Sequence, residues 1–405
     1  MYVAKNYIAL EKSIFDNKNM NRYIRVLLVD DQPIICEAVR RILSSQPDIE
    51  FHFCENPTNA LSVAEEFAPT VILQDLVMPD VDGLTLVKFF KANPKTRDIP
   101  LIVLSSKEEP DIKYRAFENG ANDYMVKFPD QLEVLARIRY HSKAYTALQE
   151  RNEAMRKLQE SQNALKNELD EADHYVRSLL PQKFDDGKIA TDWVFKTSTS
   201  LGGDCFGYGR ISDKHFAIYL LDVCGHGVGA ALLSVSAMNV LRSQSLSGVD
   251  FTKPDQVLSA LNNAFDMDKQ NGMYFTLWYG VLDTETRELA YSSGGHPPAI
   301  LVANGQYQKL KTNGIVIGGM PNSKFESKTI SVPNNAKLYV FSDGVYEVEY
   351  ADGSGMMNLD AFANELLKPN LPDNTKAESM MMFSQQAQNN KQFEDDFSLC
   401  EITIR

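Results

Sequence analysis

Between residues 24 and 144, short apolar runs at 26–29, 51–53, 71–73, 101–104 and 124–126 alternate with stretches of helical character. Five strand–helix units in succession leave few folds open, because parallel neighbours need crossover connections and the resulting helices cover both faces of the sheet. The pattern predicts a doubly wound α/β domain with a five-stranded parallel sheet. In such folds the ligand site lies beyond the carboxyl ends of the strands. Asp30 and Asp31 follow the first run, Asp75 the third, Ser105 the fourth and Lys127 the fifth. Three carboxylates at one sheet edge can hold Mg²⁺, and one can act as a nucleophile when metal and lysine neutralise an incoming phosphoryl group. The competing reading keeps these acids only as helix caps.

The residues Leu27-Leu28-Val29-Asp30-Asp31, the run from Gln74 to Gly83, Leu104-Ser105-Ser106 and the run from Gly120 to Lys127 resemble the response-regulator receiver family. The resemblance implies that Asp75 is the phosphoacceptor and that a cognate histidine kinase supplies the phosphoryl group. It further implies that Asp30, Asp31 and Asp75 hold Mg²⁺ with the Val77 carbonyl, that Lys127 pairs with the phosphoryl group, and that Ser105 and Tyr124 form the switch. Lys127-Phe128-Pro129 inverts the family's usual Lys-Pro-Phe order, so a cis bond after the lysine is not assumed. Val77, two residues past the phosphoacceptor, is apolar and cannot orient an attacking water, which predicts a slowly hydrolysed aspartyl phosphate.

From residue 144 to 179 the chain is rich in Glu, Lys, Gln, Asn, Ala and Leu and contains no Gly or Pro until Pro181. One long helix is expected. With Leu148 at position a, the a and d residues are Leu148, Arg151, Met155, Leu158, Gln162, Leu165, Leu169, Ala172, Val176 and Leu179. This mostly apolar seam predicts a coiled coil and a homodimer, about 50 Å long at 1.5 Å per residue. The alternative is an amphipathic helix packed on the domain that follows, and the two can coexist.

Beyond residue 179, four separated acidic sites each adjoin a strand-like run. They are Gly202-Gly203-Asp204, Asp222-Val223 before a glycine-rich loop, Ser342-Asp343-Gly344, and Asp395-Asp396-Phe397-Ser398. Taken singly, an Asp beside Gly starts a turn or caps a helix. Taken together, carboxylates from several strand ends suit hard divalent cations, and two such ions can activate water and neutralise charge on a phosphoryl group.

With Gly294-Gly295-His296-Pro297-Pro298, these motifs resemble, over residues 179–405, the SpoIIE-like branch of the metal-dependent (PPM-type) protein serine/threonine phosphatases. The resemblance implies an α+β fold, a β-sandwich flanked by helices, with two Mn²⁺ or Mg²⁺ ions. Asp222 would bridge them with help from the Val223 carbonyl, and Asp204 and Asp343 would complete the shell. The last ligand would come from Asp395 or Asp396, with Asp395 preferred as the first residue of its motif. Gly225, His226 and Gly227 precede a helix start whose free amides favour a phosphate; a tight turn is the equal alternative. His226 could be a general acid or a local hydrogen bonder, and His296 is read as structural. Gly202 to Phe206 also lies one residue from the diguanylate cyclase signature, but the cyclase's upstream metal and nucleotide motif is missing.

A net charge of −13, with no basic stripe or terminal helix-turn-helix, disfavours nucleic acid as a partner. No apolar run reaches the roughly 20 residues of a membrane span. Five cysteines without a Cys-x-x-Cys pair read as reduced thiols of a cytoplasmic protein. The expected organisation is a flexible arm at 1–22, a receiver at 23–144, a helical linker at 145–179 and a phosphatase at 180–405. The expected activity is receiver-controlled dephosphorylation of phosphoserine or phosphothreonine, with a STAS-type anti-sigma-factor antagonist as the substrate the resemblance implies. The alternatives are a non-catalytic adaptor that binds a regulator through the phosphatase-like domain, and a sequestering module whose coiled coil is the output.

Overall fold

The computed structural model describes residues 24–405 apart from 80, 107, 108, 128, 129 and 390. The expected N-terminal arm and the peptide bond before Pro129 lie outside the described residues. The chain divides into two compact units, Met1–Gln162 and Asn163–Arg405.

In the first unit, β1 (Ile24–Val29), β2 (Ile49–Cys54), β3 (Val71–Asp75), β4 (Leu101–Ser105) and β5 (Asp123–Val126) form one sheet in the order β2-β1-β3-β4-β5. Every pairing is parallel. The two-residue period of a strand divides β1 between two cores. Val26 and Leu28 pack with Ile35 and Val39 of α1 (Pro33–Ser44) and with Val134 and Ile138 of α5 (Gln131–Ser178). Leu27 and Val29 join the opposite core, built with α2 (Ala60–Phe67), α3 (Gly83–Ala92) and α4 (Pro110–Glu118). The doubly wound sheet expected from the alternation is thus present.

Helix α5 is 48 residues long. With no Gly or Pro to stop it, the receiver's last helix and the expected linker form one element. Its first turns are fixed by burial of Val134 and Ile138 and by Arg137, whose Nη1 lies 2.6 and 2.7 Å from the two carboxylate oxygens of Asp123. Farther along, a solvated ladder takes over, with Arg156 bridging Glu153 and Glu160.

The second unit is a sandwich of two five-stranded antiparallel sheets. One has the order β13-β10-β9-β8-β7 and the other β12-β11-β14-β15-β6. The first contains β7 (Cys205–Arg210), β8 (His215–Val223), β9 (Phe275–Asp283), β10 (Glu288–Gly294) and β13 (Lys328–Ser331). The second contains β6 (Ile189–Lys196), β11 (Ala299–Ala303), β12 (Gln306–Leu310), β14 (Ala336–Phe341) and β15 (Phe397–Ile404). Phe206, Leu220 and Trp278 from the first sheet share a core with Leu301, Leu338 and Ile402 from the second, joined by Leu233 of α6 (Val228–Arg242) and Leu258 of α7 (Pro254–Ala264). The outer face of the second sheet, through Tyr339, Phe341 and Leu399, is covered by Phe362 of α8 (Leu359–Leu366) and Met380 of α9 (Lys376–Ala387). The expected helix-flanked sandwich is what the chain forms.

Candidate functional site

The carboxyl edge of the parallel sheet gathers Asp30, Asp31 and Asp75. One oxygen from each lies within 4.8 Å of the others. Asp30 and Asp75 are buried because β1 and β3 end in the middle of the sheet. Lys127, just past β5, places Nζ 2.7 Å from Asp75 Oδ2 and 3.0 Å from Asp30 Oδ2. Burial pushes the Asp30 carboxyl upward against the opposing pull of the Gln32 amide and Lys127. Burial alone would lower the Lys127 ammonium, but its bonds to Asp75 and Asp30 outweigh that and raise it. One lysine cannot neutralise three acids, and Asp31 Oδ1 is buried with no hydrogen-bond partner. This oxygen-rich set fits a hard divalent cation. The amide of Val77 donates to Asp75 Oδ1 at 3.3 Å while its side chain stands 62% exposed. Ser105 and Tyr124 are both buried, with Lys113 5.3 Å over the Tyr124 ring.

The second site is assembled by strand pairing. Cys205 pairs with Leu221, so Asp204 at the mouth of β7 is brought beside Asp222 at the end of β8. Phe341 pairs with Leu399, which brings Asp343, just past β14, to the residues entering β15. Burial pushes the Asp222 carboxyl up to about 8, reinforced by Asp343, Asp395 and Asp396. Asp204 is raised well above its ordinary range by burial, then by Asp222 and Asp396. Asp343 rises to about 6 through burial and then Asp395. No three of these acids bring oxygens as close together as the receiver triad does, judged among the described residues. Hard oxygen donors with mutually repelling charges fit Mg²⁺ or Mn²⁺.

The acidic pair near the C-terminus is divided by burial. Asp396 is 4% exposed, and both its oxygens are engaged. Oδ1 accepts from the Ser198 amide at 2.8 Å and the Ser198 hydroxyl at 3.1 Å, and Oδ2 accepts from the Asp204 amide at 3.4 Å. Asp395 is exposed, and its Oδ1 accepts from the Asp396 amide at 2.7 Å. The bend at residues 394–395, just before β15, covers Asp396 and leaves Asp395 exposed.

Close backbone packing fixes the arrangement. A β-carbon on Gly203 would come within 2.7 Å of the Val223 carbonyl oxygen. In the loop after β8, Gly225 and Gly227 adopt φ of 86° and 91°, values that favour glycine. The Gly227 amide donates to the Leu201 carbonyl at 3.1 Å, so it is already engaged by protein. His226 is exposed in this loop. His296 is buried, its Nδ1 lies 3.0 Å from the Pro297 carbonyl oxygen, and burial lowers its imidazole to about 4.

Ser398 closes one of the acidic motifs but was given no role there, and Ser198 and Arg177 lie outside the motifs. Ser398 donates to Asp204 Oδ2 at 2.5 Å. Its place two residues after Asp396 puts it on that residue's side of the strand, which is the signal that could have found it.

Residues 26–139 match the response regulator receiver domain family, and residues 212–405 match the stage II sporulation protein E (SpoIIE) family. The phosphoserine phosphatase RsbP of Bacillus subtilis (strain 168) is 28% identical over 184 residues, covering 45% of this chain and 46% of RsbP. The response regulator PleD of Caulobacter vibrioides (strain NA1000 / CB15N) is 33% identical over 119 residues, covering 28% of this chain and 25% of PleD. The chain therefore matches less than half the length of either relative. The solved SiaA-PP2C domain of Pseudomonas aeruginosa aligns with a TM-score of 0.52 at 19% identity, covering 60% of this chain and 99% of that domain, a likeness of fold. Asp204 precedes the SpoIIE match, yet β6 and β7 pair with β15 and β8 and so belong to the same sandwich.

Proposed function

Given that the chain carries an N-terminal response regulator receiver domain and a C-terminal SpoIIE-type PP2C phosphatase domain, we propose that phosphorylation of Asp75 controls a metal-dependent phosphoserine/phosphothreonine protein phosphatase. The observation that carries the catalytic reading is Asp222, raised to about 8 by burial and by three neighbouring acids. Such charge density at strand ends is costly unless cations offset it.

In this reading Asp204, Asp222, Asp343, Asp395 and the Val223 carbonyl hold two Mg²⁺ or Mn²⁺ ions. When bound, the ions supply an activated water and neutralise charge on the phosphoryl oxygens. Ser398 fixes one oxygen of Asp204, and Asp396 braces the chain instead of ligating. The loop at Gly225 and His226 lies beside the acids and is assigned to the substrate phosphate, without the Gly227 amide.

In the receiver, Asp30, Asp31 and the Val77 carbonyl hold Mg²⁺ beside Asp75. Lys127 stands at the phosphoacceptor oxygen ready to pair with the incoming group. Ser105 and Tyr124 report the change. A receiver implies a histidine kinase as donor, and a phosphatase domain implies a phosphoprotein substrate; RsbP, by its name a phosphoserine phosphatase, supports the same class. A STAS-type anti-sigma-factor antagonist is the substrate proposed. The functional domains are taken as 23–144 and 180–405, joined by the helix between them. Leu148, Met155, Leu158 and Leu165 are exposed along α5 at the coiled-coil positions, which supports homodimerisation through that seam. Among the described residues no helix is long and apolar enough to cross a membrane.

The test is Mn²⁺- or Mg²⁺-dependent hydrolysis of p-nitrophenyl phosphate and of a phosphorylated STAS protein, by wild type and Asp222→Ala, with and without an acyl-phosphate donor. Loss in the variant and a changed rate with the donor are expected. Absence of metal-dependent hydrolysis in the wild type would favour the adaptor reading.

A further inference from the structure

We propose that Arg177 is a positioning residue for the C-terminal metal site, acting through Thr197, Ser198 and Asp396 on Asp204. The inference rests on the reading of Asp204 as a metal ligand.

Arg177 occupies the last turn of α5, where its Nε lies 2.7 Å from Asp173. The rest of its guanidinium reaches the end of β6. Nη1 donates to the Phe195 carbonyl at 3.2 Å, Nη2 donates to the Thr197 hydroxyl at 3.0 Å, and the group stands 5.0 Å from the centre of the Phe195 ring. A planar fork satisfied on three sides fixes both the height and the direction of the strand end. Capping a helix would need none of the contact with Thr197.

The next residue carries the constraint inward. Ser198 gives its amide and hydroxyl to Asp396 Oδ1, and Gln392 Nε2 donates to the Ser198 carbonyl at 2.6 Å. Thr197 also abuts Gly202, since a β-carbon there would stand 2.9 Å from Thr197 Cγ2. Asp396 then receives the Asp204 amide on its other oxygen. Asp396 is buried, and the donors to its carboxylate are the neutral amide and hydroxyl of Ser198 and the amide of Asp204. Moving Ser198 away would leave the charge unsatisfied, which is costly, and moving it with Asp396 displaces Asp204. The strand end and the ligand are therefore obliged to move together.

Full-length protein carrying Asp30→Asn, which removes the receiver's metal site, is titrated with Mn²⁺ by calorimetry. The Mn²⁺ concentration for half-maximal hydrolysis of p-nitrophenyl phosphate is measured alongside. Arg177→Ala is expected to raise both quantities about tenfold, with little change in rate at saturating metal, the size usual for groups that orient metal ligands. Arg177→Lys, which keeps the charge but lacks the fork, should recover part of the loss, and Thr197→Val should shift both quantities in the same direction. Arg210→Ala removes a guanidinium that pairs with Asp186 in the same unit and should titrate as the parent. The inference is overturned if Arg177→Ala and Thr197→Val titrate as the parent, or if Arg210→Ala shifts as far as they do. Should Arg177→Ala fail to fold, Thr197→Val decides alone. A parent protein that neither binds nor responds to Mn²⁺ would remove the catalytic reading itself, and that result is seen before any variant is compared.

Discussion

Gly203 and the Val223 carbonyl oxygen approach so closely that a β-carbon on Gly203 would stand 2.7 Å from that oxygen, and 3.1 Å from the Gly225 carbonyl oxygen. Neither neighbour is a flexible side chain that can step aside. Gly203→Ala is therefore expected to cost about 1–3 kcal/mol of stability by overpacking. It should also raise the half-activating Mn²⁺ concentration, because the displaced carbonyl is a proposed ligand. Thermal melts and metal titration of hydrolysis check both, and an alanine variant indistinguishable from wild type would contradict the packing argument.

The acids of the second site predict an unusual pH dependence for the metal-free protein. Folding raises Asp222 from its ordinary 3.8 to about 8, by burial and then by Asp343, Asp395 and Asp396. It raises Asp343 to about 6, by burial and then by Asp395. Between those limits the folded state binds more protons than the unfolded state, so these groups make stability fall as pH rises from about 4 to 8. Melting temperatures measured in chelator should drop across that window. Millimolar Mn²⁺ should reverse the trend by displacing the protons, and Asp222→Asn should flatten it while raising metal-free stability at pH 8.

The outward-facing apolar side chain of Val77 leaves no polar group there to hold an attacking water. Acyl-phosphate labelling should give an Asp75 phosphate that persists for minutes or longer, lost altogether in Asp75→Asn. A half-life of seconds, followed by phosphate release, would refute this.

Leu158 and Leu165 are 54% and 58% exposed on α5. Burying the exposed half of each against a second copy would recover roughly 1–1.5 kcal/mol per side chain. Leu158→Lys with Leu165→Lys should turn a dimer into a monomer by light scattering while leaving the receiver able to accept phosphate. A wild-type monomer at all concentrations would dispose of the coiled coil.

The receiver was legible because its signals are local. Each strand is a compact apolar run, and Asp30, Asp75 and Lys127 fall at strand ends that a parallel sheet must bring to one edge. The sandwich acids were legible as motifs, but their division of labour was not. Nothing in the letters Asp395-Asp396 says which one is covered, since that follows from Ser198, almost two hundred residues earlier in the chain. Arg177 was hidden for a similar reason. In a stretch read as a coiled-coil seam, or as an amphipathic helix packed on the domain that follows, nothing marked its charge from that of Arg156, and only the fold brings β6 beneath it. The start of α5 at Gln131 was equally hard to see, because a helix uninterrupted by Gly or Pro carries no mark where one role ends and another begins.

The crowding of unneutralised acids at the sandwich edge also bears on how long the protein lasts. A domain whose metal-free form is weakened by the acids proposed as its ligands unfolds more often, and an unfolded chain is what proteases consume. Divalent-cation supply would then govern the number of copies present as well as the turnover of each, so that scarcity clears the idle protein.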